Sequence, residues 1–442
     1  MLEARVYTFI GGIHPKYKKE LSSSNFIEEY LPKSKVIIPL QQHIGAPCTP
    51  LVKINDYVKV GQKLGEANGF VSAPVHSSVS GKVVAIEDRP SPGGKLTKSI
   101  VIESDGEFIY DESVKPKEDV NNLKPEEIRD IVREAGIVGM GGATFPTMVK
   151  LNPPPDKKID TVILNGAECE PYLTADHRLM LERAVDIVYG MRVIMKALGV
   201  SKGYIGIEDN KVDAINEMNK ACKEYDGIEV AVLKTKYPQG SEKHIIKAIT
   251  GREVPSGKLP ADVGVIVDNV GTACAVSDAI KLGKPLIERV VTVTGEGVEN
   301  PKNLLVKIGT PFKELIEYCG GFKGNPGKVI SGGPMMGIAQ YSLDVPVIKG
   351  TSGILVFPED ILTLKNPKPC IRCAKCVDAC PMNLLPLFIS AYALKDDFEK
   401  CEEYHAVDCI ECGSCSYVCP SKRPLVESIR LAKREILKRR KK

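Results

Sequence analysis

The chain has 442 residues, more than one hydrophobic core organises, so two to four domains are expected. Its 60 Lys and Arg against 56 Asp and Glu leave a formal charge of +4, too little for a nucleic-acid binder working by bulk charge. MLEARVYTFIGG lacks the order of a secretory leader, and no run of about 18 uncharged apolar residues offers a membrane helix. A cytosolic address is expected, where thiols stay reduced. Fourteen cysteines there, eight of them in the two runs Cys370–Cys380 and Cys409–Cys419, mean metal or redox ligands rather than disulfides.

After an N-terminal segment (1–35), residues 36–110 read as a small all-β unit, with short alternating runs such as Asp56–Val60 and Gly81–Ile86 between Gly and Pro turns. The order Val58, Gly61, Leu64-Gly65, then Ser72-Ala73-Pro74 and Gly81-Lys82-Val83 resembles the biotinyl/lipoyl-carrier barrel-sandwich. The hairpin that bears a carrier's attachment Lys is here Ala67-Asn68-Gly69-Phe70, so the expectation is a structural copy without a swinging arm. Residues 120–286 alternate helix and strand. A helix is expected over Pro125–Ala135, with Pro in its first turn and Gly136 as its stop. Strands are expected at Thr161–Leu164, Tyr204–Ile207, Ile228–Leu233 and Val263–Val267, with helices over Leu179–Leu198 and Asn210–Tyr225. This spacing means an α/β domain with a mostly parallel sheet. Residues 287–345, with strands at Arg289–Thr294 and Leu304–Ile308 and a helix over Pro311–Cys319, resemble the soluble-ligand-binding β-grasp fold. Residues 360–442 read as mostly helical around the cysteine runs.

Those runs carry the strongest chemical signal. Cys370-x2-Cys373-x2-Cys376-x3-Cys380-Pro and Cys409-x2-Cys412-x2-Cys415-x3-Cys419-Pro are two copies of the spacing that wraps a cubane. Three thiolates hold one face, and the fourth reaches the other cluster. Cys370, Cys373, Cys376 and Cys419 would then hold one [4Fe–4S], and Cys409, Cys412, Cys415 and Cys380 the second. The alternative is structural zinc, but zinc motifs pair ligands as C-x2-C across a long gap. The 28 residues between the runs carry a helical pattern, which suggests a helical two-cluster ferredoxin domain, with Cys401 as a packing residue. Two clusters carry single electrons, so the rest of the chain should supply a source or a sink.

The second signal is the glycine-rich stretch Gly136 to Thr147, where backbone N–H groups can approach a ligand closely. About twenty residues on, a strand ends in Asn165-Gly166-Ala167-Glu168-Cys169-Glu170-Pro171. Two more end in Lys236-Tyr237-Pro238-Gln239-Gly240-Ser241-Glu242 and Asp268-Asn269-Val270-Gly271-Thr272. Ligands of open α/β sheets bind at the carboxyl ends of strands, and these four loops could converge on one crevice.

These motifs resemble the NADH-oxidising flavoprotein subunit of respiratory complex I: Gly139-Met140-Gly141-Gly142-Ala143-Thr144-Phe145-Pro146-Thr147 with Lys150 is similar to its flavin loop. The stretches Asn165…Pro171 with Asp176 and Arg178, Gly240-Ser241-Glu242, and Asp268–Thr272 are similar to its N-A-D-E-x-E-P…D-R, G-E-E and N-N-V-E-T. The chain departs at Met140, at Gly166-Ala167, and in its two cysteine runs where that subunit has a single cluster. With Gly11-Gly12-Ile13-His14-Pro15, Pro39–Pro47 and Gly332-Gly333-Pro334-Met335-Met336-Gly337 added, nearly the whole chain resembles the RnfC family of the Rnf complex, a membrane-bound, ion-translocating ferredoxin:NAD+ oxidoreductase.

That resemblance implies an oxidoreductase with FMN, NAD(H) and two [4Fe–4S] clusters. It would be a peripheral subunit on the cytoplasmic face of the cell membrane, partnered by integral-membrane and iron–sulfur Rnf subunits and indirectly by ferredoxin. It further implies that Gly139, Gly141, Gly142 and Ala143 approach FMN with Lys150 nearby, and that Asn165, Asn269 and Thr272 bond the flavin ring or ribityl chain. Glu168, Glu170, Gly240 and Glu242 would line the nicotinamide side. No acid–base residue is expected, because the cofactors carry the chemistry. Alternatives are a cobalamin reductase of the same architecture and a relay module with a dead flavin site. Outside the runs, Cys48, Cys169, Cys222, Cys274 and Cys319 read as non-catalytic, and the six His form no ligand pair. At the C-terminus, Leu425, Ile429, Ala432 and Ile436 share one helical face, and Arg430–Lys442 holds eight basic residues against Glu435 alone. Such an end can dock on a partner or lie peripherally on an anionic membrane.

Overall fold

A computed structural model describes residues 5–361 and 366–440. The first unit pairs a four-stranded antiparallel sheet (Lys35–Pro39, Leu96–Ser104, Gly81–Pro90, Tyr57–Val58) with a three-stranded one (Thr49–Pro50, Lys63–Glu66, Val75–His76). Alternating side chains point inward, so Val36, Ile38, Leu64, Val75, Val83, Ile100 and Ile102 are buried between the sheets. Phe70 at the hairpin tip is exposed.

The second unit is a parallel sheet in the order Ile228–Leu233, Gly203–Glu208, Thr161–Asn165, Val265–Asn269. Its central strands are apolar on both faces because helices cover both, as in other parallel sheets. Two expected boundaries shift. The helix read over Leu179–Leu198 is two helices, Ala175–Glu182 and Ala184–Leu198. The break falls at Arg183 (φ −132°), whose guanidinium bonds Asp186 at 2.9 Å and Asp278 at 2.7 Å. The last strand begins at Val265 rather than Val263, because Pro260–Val263 forms a 3-10 turn closed by Gly264 at φ +76°. That φ lies in the left-handed region, which glycine enters without steric cost.

The third unit is a six-stranded mixed sheet ordered Ile27–Tyr30, Lys302–Lys307, Glu288–Thr294, Gly353–Pro358, Pro326–Ser331, Ile338–Ala339, backed by the helix Phe312–Tyr318. The sheet draws strands from both sides of 287–345. Lys349 pins the first two units together: its buried ammonium donates to Pro74 O at 2.7 Å and Gly136 O at 2.6 Å.

The last unit is helical (Pro386–Ala393, Phe398–Glu403, Leu425–Arg439, with short helices Lys375–Asp378 and Ser414–Val418). Its core includes Ile389, Cys401, Ala406, Ile429, Ala432 and Ile436. The apolar face of the terminal helix is therefore spent inside its own domain, each isoleucine contributing about 1.5–3 kcal/mol of burial. It is not free to enter a lipid surface. Among the described residues no helix is long and apolar enough to cross a membrane.

Residues 5–22 form a strap. Tyr7 adds to the edge strand (Tyr7 N–H to Val232 O, 2.8 Å), Ile13 and Tyr237 exchange two backbone bonds of 2.8 Å, and Lys19 ends beside the loop after Asn165.

Candidate functional site

The loops at the carboxyl ends of the parallel strands meet. Asn165 Nδ2 donates to Gly240 O at 2.7 Å, and its Oδ1 accepts from Ala167 N–H at 3.1 Å. Asn269 caps the helix Val270–Lys281 by accepting from Gly271 N–H at 2.8 Å, and its Nδ2 donates to Asp176 Oδ2 at 2.7 Å. The glycine loop closes over them. Met140 N–H donates to Thr272 Oγ1 at 2.9 Å, while Gly141 lies so close to Asn269 that an added Cβ would stand 2.7 Å from its Nδ2. Gly142 and Ala143 are exposed, with open space around the former, and Gly139 N–H donates to Phe145 O at 2.9 Å.

Lys150 reaches under this floor. Its ammonium donates to Val267 O at 2.6 Å and lies 3.4 Å from Asp268 and 3.6 Å from Glu242. Burial alone would lower it, but the two carboxylates outweigh burial and hold it above its ordinary value. Asp176 is half-buried, and desolvation, reinforced by the charge on Glu168, pushes its carboxyl up.

The carboxylates of Glu168 and Glu170 are engaged by backbone N–H groups. Glu168, at φ +44°, accepts from Asp176 N–H at 2.7 Å and His177 N–H at 3.2 Å, so it caps the helix Ala175–Glu182. Glu170 accepts from Met335 N–H at 3.1 Å and Met336 N–H at 2.9 Å, tying down the loop Gly332–Gly337. Burial raises its carboxyl to about 7 despite those two donors. Lys19, buried, donates to Glu168 O at 2.8 Å, Glu170 O at 3.1 Å and Leu173 O at 2.5 Å. Nothing in the polar sequence around Lys19 signals this, since its partners lie about 150 residues away.

The cysteines enclose two cavities. Cys370, Cys373, Cys376 and Cys419 line one; Cys380, Cys409, Cys412 and Cys415 line the other. Among the described residues no three His, Cys, Asp or Glu side chains converge closely enough for a single ion. Four thiols around each open space are the donor set that an iron–sulfur group takes. Both loops have left-handed residues at the same two places, Arg372 and Ala374 in one, Glu411 and Gly413 in the other. This turns backbone N–H groups inward: Arg372 N–H lies 3.4 Å from Cys370 Sγ and Glu411 N–H 3.3 Å from Cys409 Sγ. Cys401 sits in the helical core, its Sγ 3.4 Å from Ile389 O.

One cysteine cavity abuts the strand-end loops. Tyr237 Oη donates to Cys412 O at 2.8 Å, and His244 bridges Ser241 Oγ and Pro381 O, each at 2.9 Å. Cys169 and Met335 pack against Tyr237, Ala379 and Cys412 at the same junction, and burial pushes the Cys169 thiol up, away from a nucleophile's reactivity. Tyr237 and His244 are the junction residues that motif reading passed over. Their position flanking Gly240-Ser241-Glu242 was the available signal.

A parallel sheet with a glycine loop over its carboxyl ends, joined to a double cysteine cradle, defines a flavin- and iron–sulfur-type electron-transfer protein. Family models agree in register: an RnfC barrel sandwich hybrid domain matches residues 7–107, the Nuo51 FMN-binding domain 132–278, an SLBB domain 290–339, and a 4Fe-4S dicluster domain 369–422. The chain is 55% identical over 435 residues to the RnfC protein of the Na(+)-translocating ferredoxin:NAD(+) oxidoreductase complex of Acetobacterium woodii, covering 98% of each chain. It is 52% identical to the counterpart in the proton-translocating complex of Clostridium ljungdahlii (97% and 94% covered) and 44% identical to that in the ion-translocating oxidoreductase complex of Rhodobacter capsulatus (98% and 84%). The chain belongs to this RnfC family of the ion-translocating ferredoxin:NAD(+) oxidoreductase complexes. A crystal structure of an NAD+-reducing [NiFe]-hydrogenase shares the fold (TM-score 0.52, 17% identity, 73% of this chain and 65% of that one).

Proposed function

We propose that this chain passes electrons between NAD(H) and two [4Fe–4S] centres across a bound FMN, as the peripheral, cytoplasmic-face component of a membrane-bound ferredoxin:NAD+ oxidoreductase complex. Its direct partners are then integral-membrane and iron–sulfur subunits, with ferredoxin acting through them. FMN, when bound, exchanges electron pairs with a nicotinamide and single electrons with iron–sulfur centres, so a chain handling both needs it. The observation that carries the reading is the shared wall, where Tyr237 and His244 join the strand-end loops to Cys412 and Pro381.

Each residue then has a task. Gly139, Gly141, Gly142 and Ala143 let the backbone approach the flavin nucleotide, and a side chain at Gly141 would collide with Asn269. Asn165, Asn269 and Thr272 are fixed by hydrogen bonds and offer amide and hydroxyl groups of set orientation. Lys150 neutralises Asp268 and Glu242 beneath the site. Gly240 and Glu242 face the nicotinamide side, and Glu168 and Glu170 shape that wall from behind through the backbones they bind. Cys380, Cys409, Cys412 and Cys415 hold the centre nearer the flavin crevice, and Cys370, Cys373, Cys376 and Cys419 hold the outer one. The first unit is assigned as a carrier-like barrel-sandwich lacking its attachment Lys and the third as a β-grasp. Composition tests the reading: anaerobically reconstituted protein should hold one FMN and about eight irons per chain. Protein that takes up iron but no FMN would sink it.

A further inference from the structure

The two cysteine cavities differ in what they face. The inner one lies against the rest of the chain, Cys412 packing with Ile13 of the strap and Tyr237 of a strand-end loop, and Cys412 and Cys415 are buried. At the outer one, Cys370 and Cys373 are exposed, and all ten residues from Asn366 to Lys375 face solvent, with Ile371 at 67% exposure. The second strand of this rim lies alongside, Lys368 N–H donating to Ser421 O at 2.9 Å. Together 366–376 and 419–423 carry Lys368, Arg372, Lys375, Lys422 and Arg423 and no carboxylate. Among the described residues none of these five cations has an ion-pair partner. The terminal helix is different: Arg430 and Lys433 pair with Glu411, and Arg440 pairs with Glu402.

We infer that this cationic rim is the docking surface for the acidic face of an iron–sulfur protein, the partner that exchanges electrons with the outer centre. The inference rests on the electron-transfer reading above and adds where the partner sits and what charge it carries. Opposite charge around an exposed thiolate edge steers encounter and fixes register. A lipid surface fits less well, since it carries no redox centre to set against Cys370 and Cys373, and the neighbouring helix buries its apolar face internally. In the ferredoxin-to-NAD+ direction, one electron leaves the partner's reduced centre, which is oxidised by one, and this chain is reduced by one. No bond forms or breaks at the rim and no proton moves there. Two such transfers with one proton from water supply the hydride of NADH.

The test is rebinding of the full holo-chain to membranes that carry the rest of the complex but lack this chain, comparing wild type with Lys368→Glu/Lys422→Glu. Both positions are exposed and outside the cysteine runs. Iron content and NADH-driven bleaching of FMN in the isolated variant should match wild type. The half-saturating concentration for rebinding should rise at least about tenfold at low salt, with ferredoxin-dependent NAD+ reduction falling in step, and added salt should weaken wild-type rebinding in the same way. A variant that rebinds like wild type overturns the inference. So does loss of rebinding that tracks loss of binding to protein-free phosphatidylcholine/phosphatidylglycerol vesicles, which would make the rim a lipid site. If wild-type FMN is not bleached by NADH, the electron-transfer reading fails instead, and the rebinding result stands apart from it.

Discussion

Replacing Gly141 by alanine should uncouple flavin binding from iron–sulfur assembly. The backbone at Gly141 needs no left-handed conformation, so the cost comes from space alone. The new Cβ would stand 2.7 Å from Asn269 Nδ2 and 3.0 Å from its Cβ and Cγ, so the amide must rotate or the loop must lift. Either movement breaks the 2.7 Å bond from Asn269 Nδ2 to the half-buried carboxylate of Asp176. A hydrogen bond to a charged or buried partner is worth about 1.5–3 kcal/mol, which corresponds to roughly 10- to 150-fold in affinity. Titrating deflavinated, iron-loaded Gly141→Ala protein with FMN, followed by flavin fluorescence, should show a dissociation constant raised within that range at unchanged iron content. A constant within about twofold of wild type would refute the packing argument and the assignment of Gly141 to the flavin.

Three further outcomes follow from other contacts. Tyr237→Phe leaves the carbonyl of Cys412 without its 2.8 Å donor, at about 1–3 kcal/mol, and hydrogen exchange at Ile13 and Tyr237 should speed up by roughly 5- to 150-fold; unchanged exchange would show that the junction does not depend on this bond. Glu170, raised to about 7 in the fold, binds its proton more tightly there than in the unfolded chain, so its stabilising contribution is full below about pH 4 and is lost as pH rises through 7; Glu170→Gln should flatten that part of the stability–pH curve, and an unchanged curve would contradict the burial argument. Cys373→Ser should remove the outer centre but leave the inner one reducible by NADH, whereas Cys412→Ser should leave FMN bleaching intact with no onward reduction of the outer centre; the reverse pattern would invert the order drawn from Tyr237 and His244.

The cysteine grouping was legible in the sequence because four ligands with fixed local spacing can wrap only a few ways, and the fourth must reach across. The parallel sheet was legible because buried strands alternate with amphipathic helices, and three of the four strand ends carry Asn or Gly-rich loops. What escaped reading depends on distant partners. Ile27–Tyr30 is a strand because it pairs with Lys302–Lys307, more than 270 residues on. Lys19 is buried because three carbonyls from another segment converge on it. The sequence marks Glu168 and Glu170 as acids at a strand end, but that each carboxylate binds two backbone N–H groups is decided by the helix start at Ala175 and by the loop at Met335. The terminal helix shows the same limit: its apolar stripe was visible, but not that Ile389, Cys401 and Ala406 would fill it.

The proposed function has a single chain join a nicotinamide to iron–sulfur centres across a flavin. Anaerobic rapid mixing of the reconstituted protein with NADH, followed by flavin absorbance and by freeze-quenched electron paramagnetic resonance, addresses that point without intermediaries. Flavin bleaching should come first, then a reduced iron–sulfur signal from the inner centre, and both should be lost when FMN is omitted. Iron–sulfur reduction by NADH at full rate without FMN, or flavin bleaching that never reaches the clusters, would contradict this order of transfer.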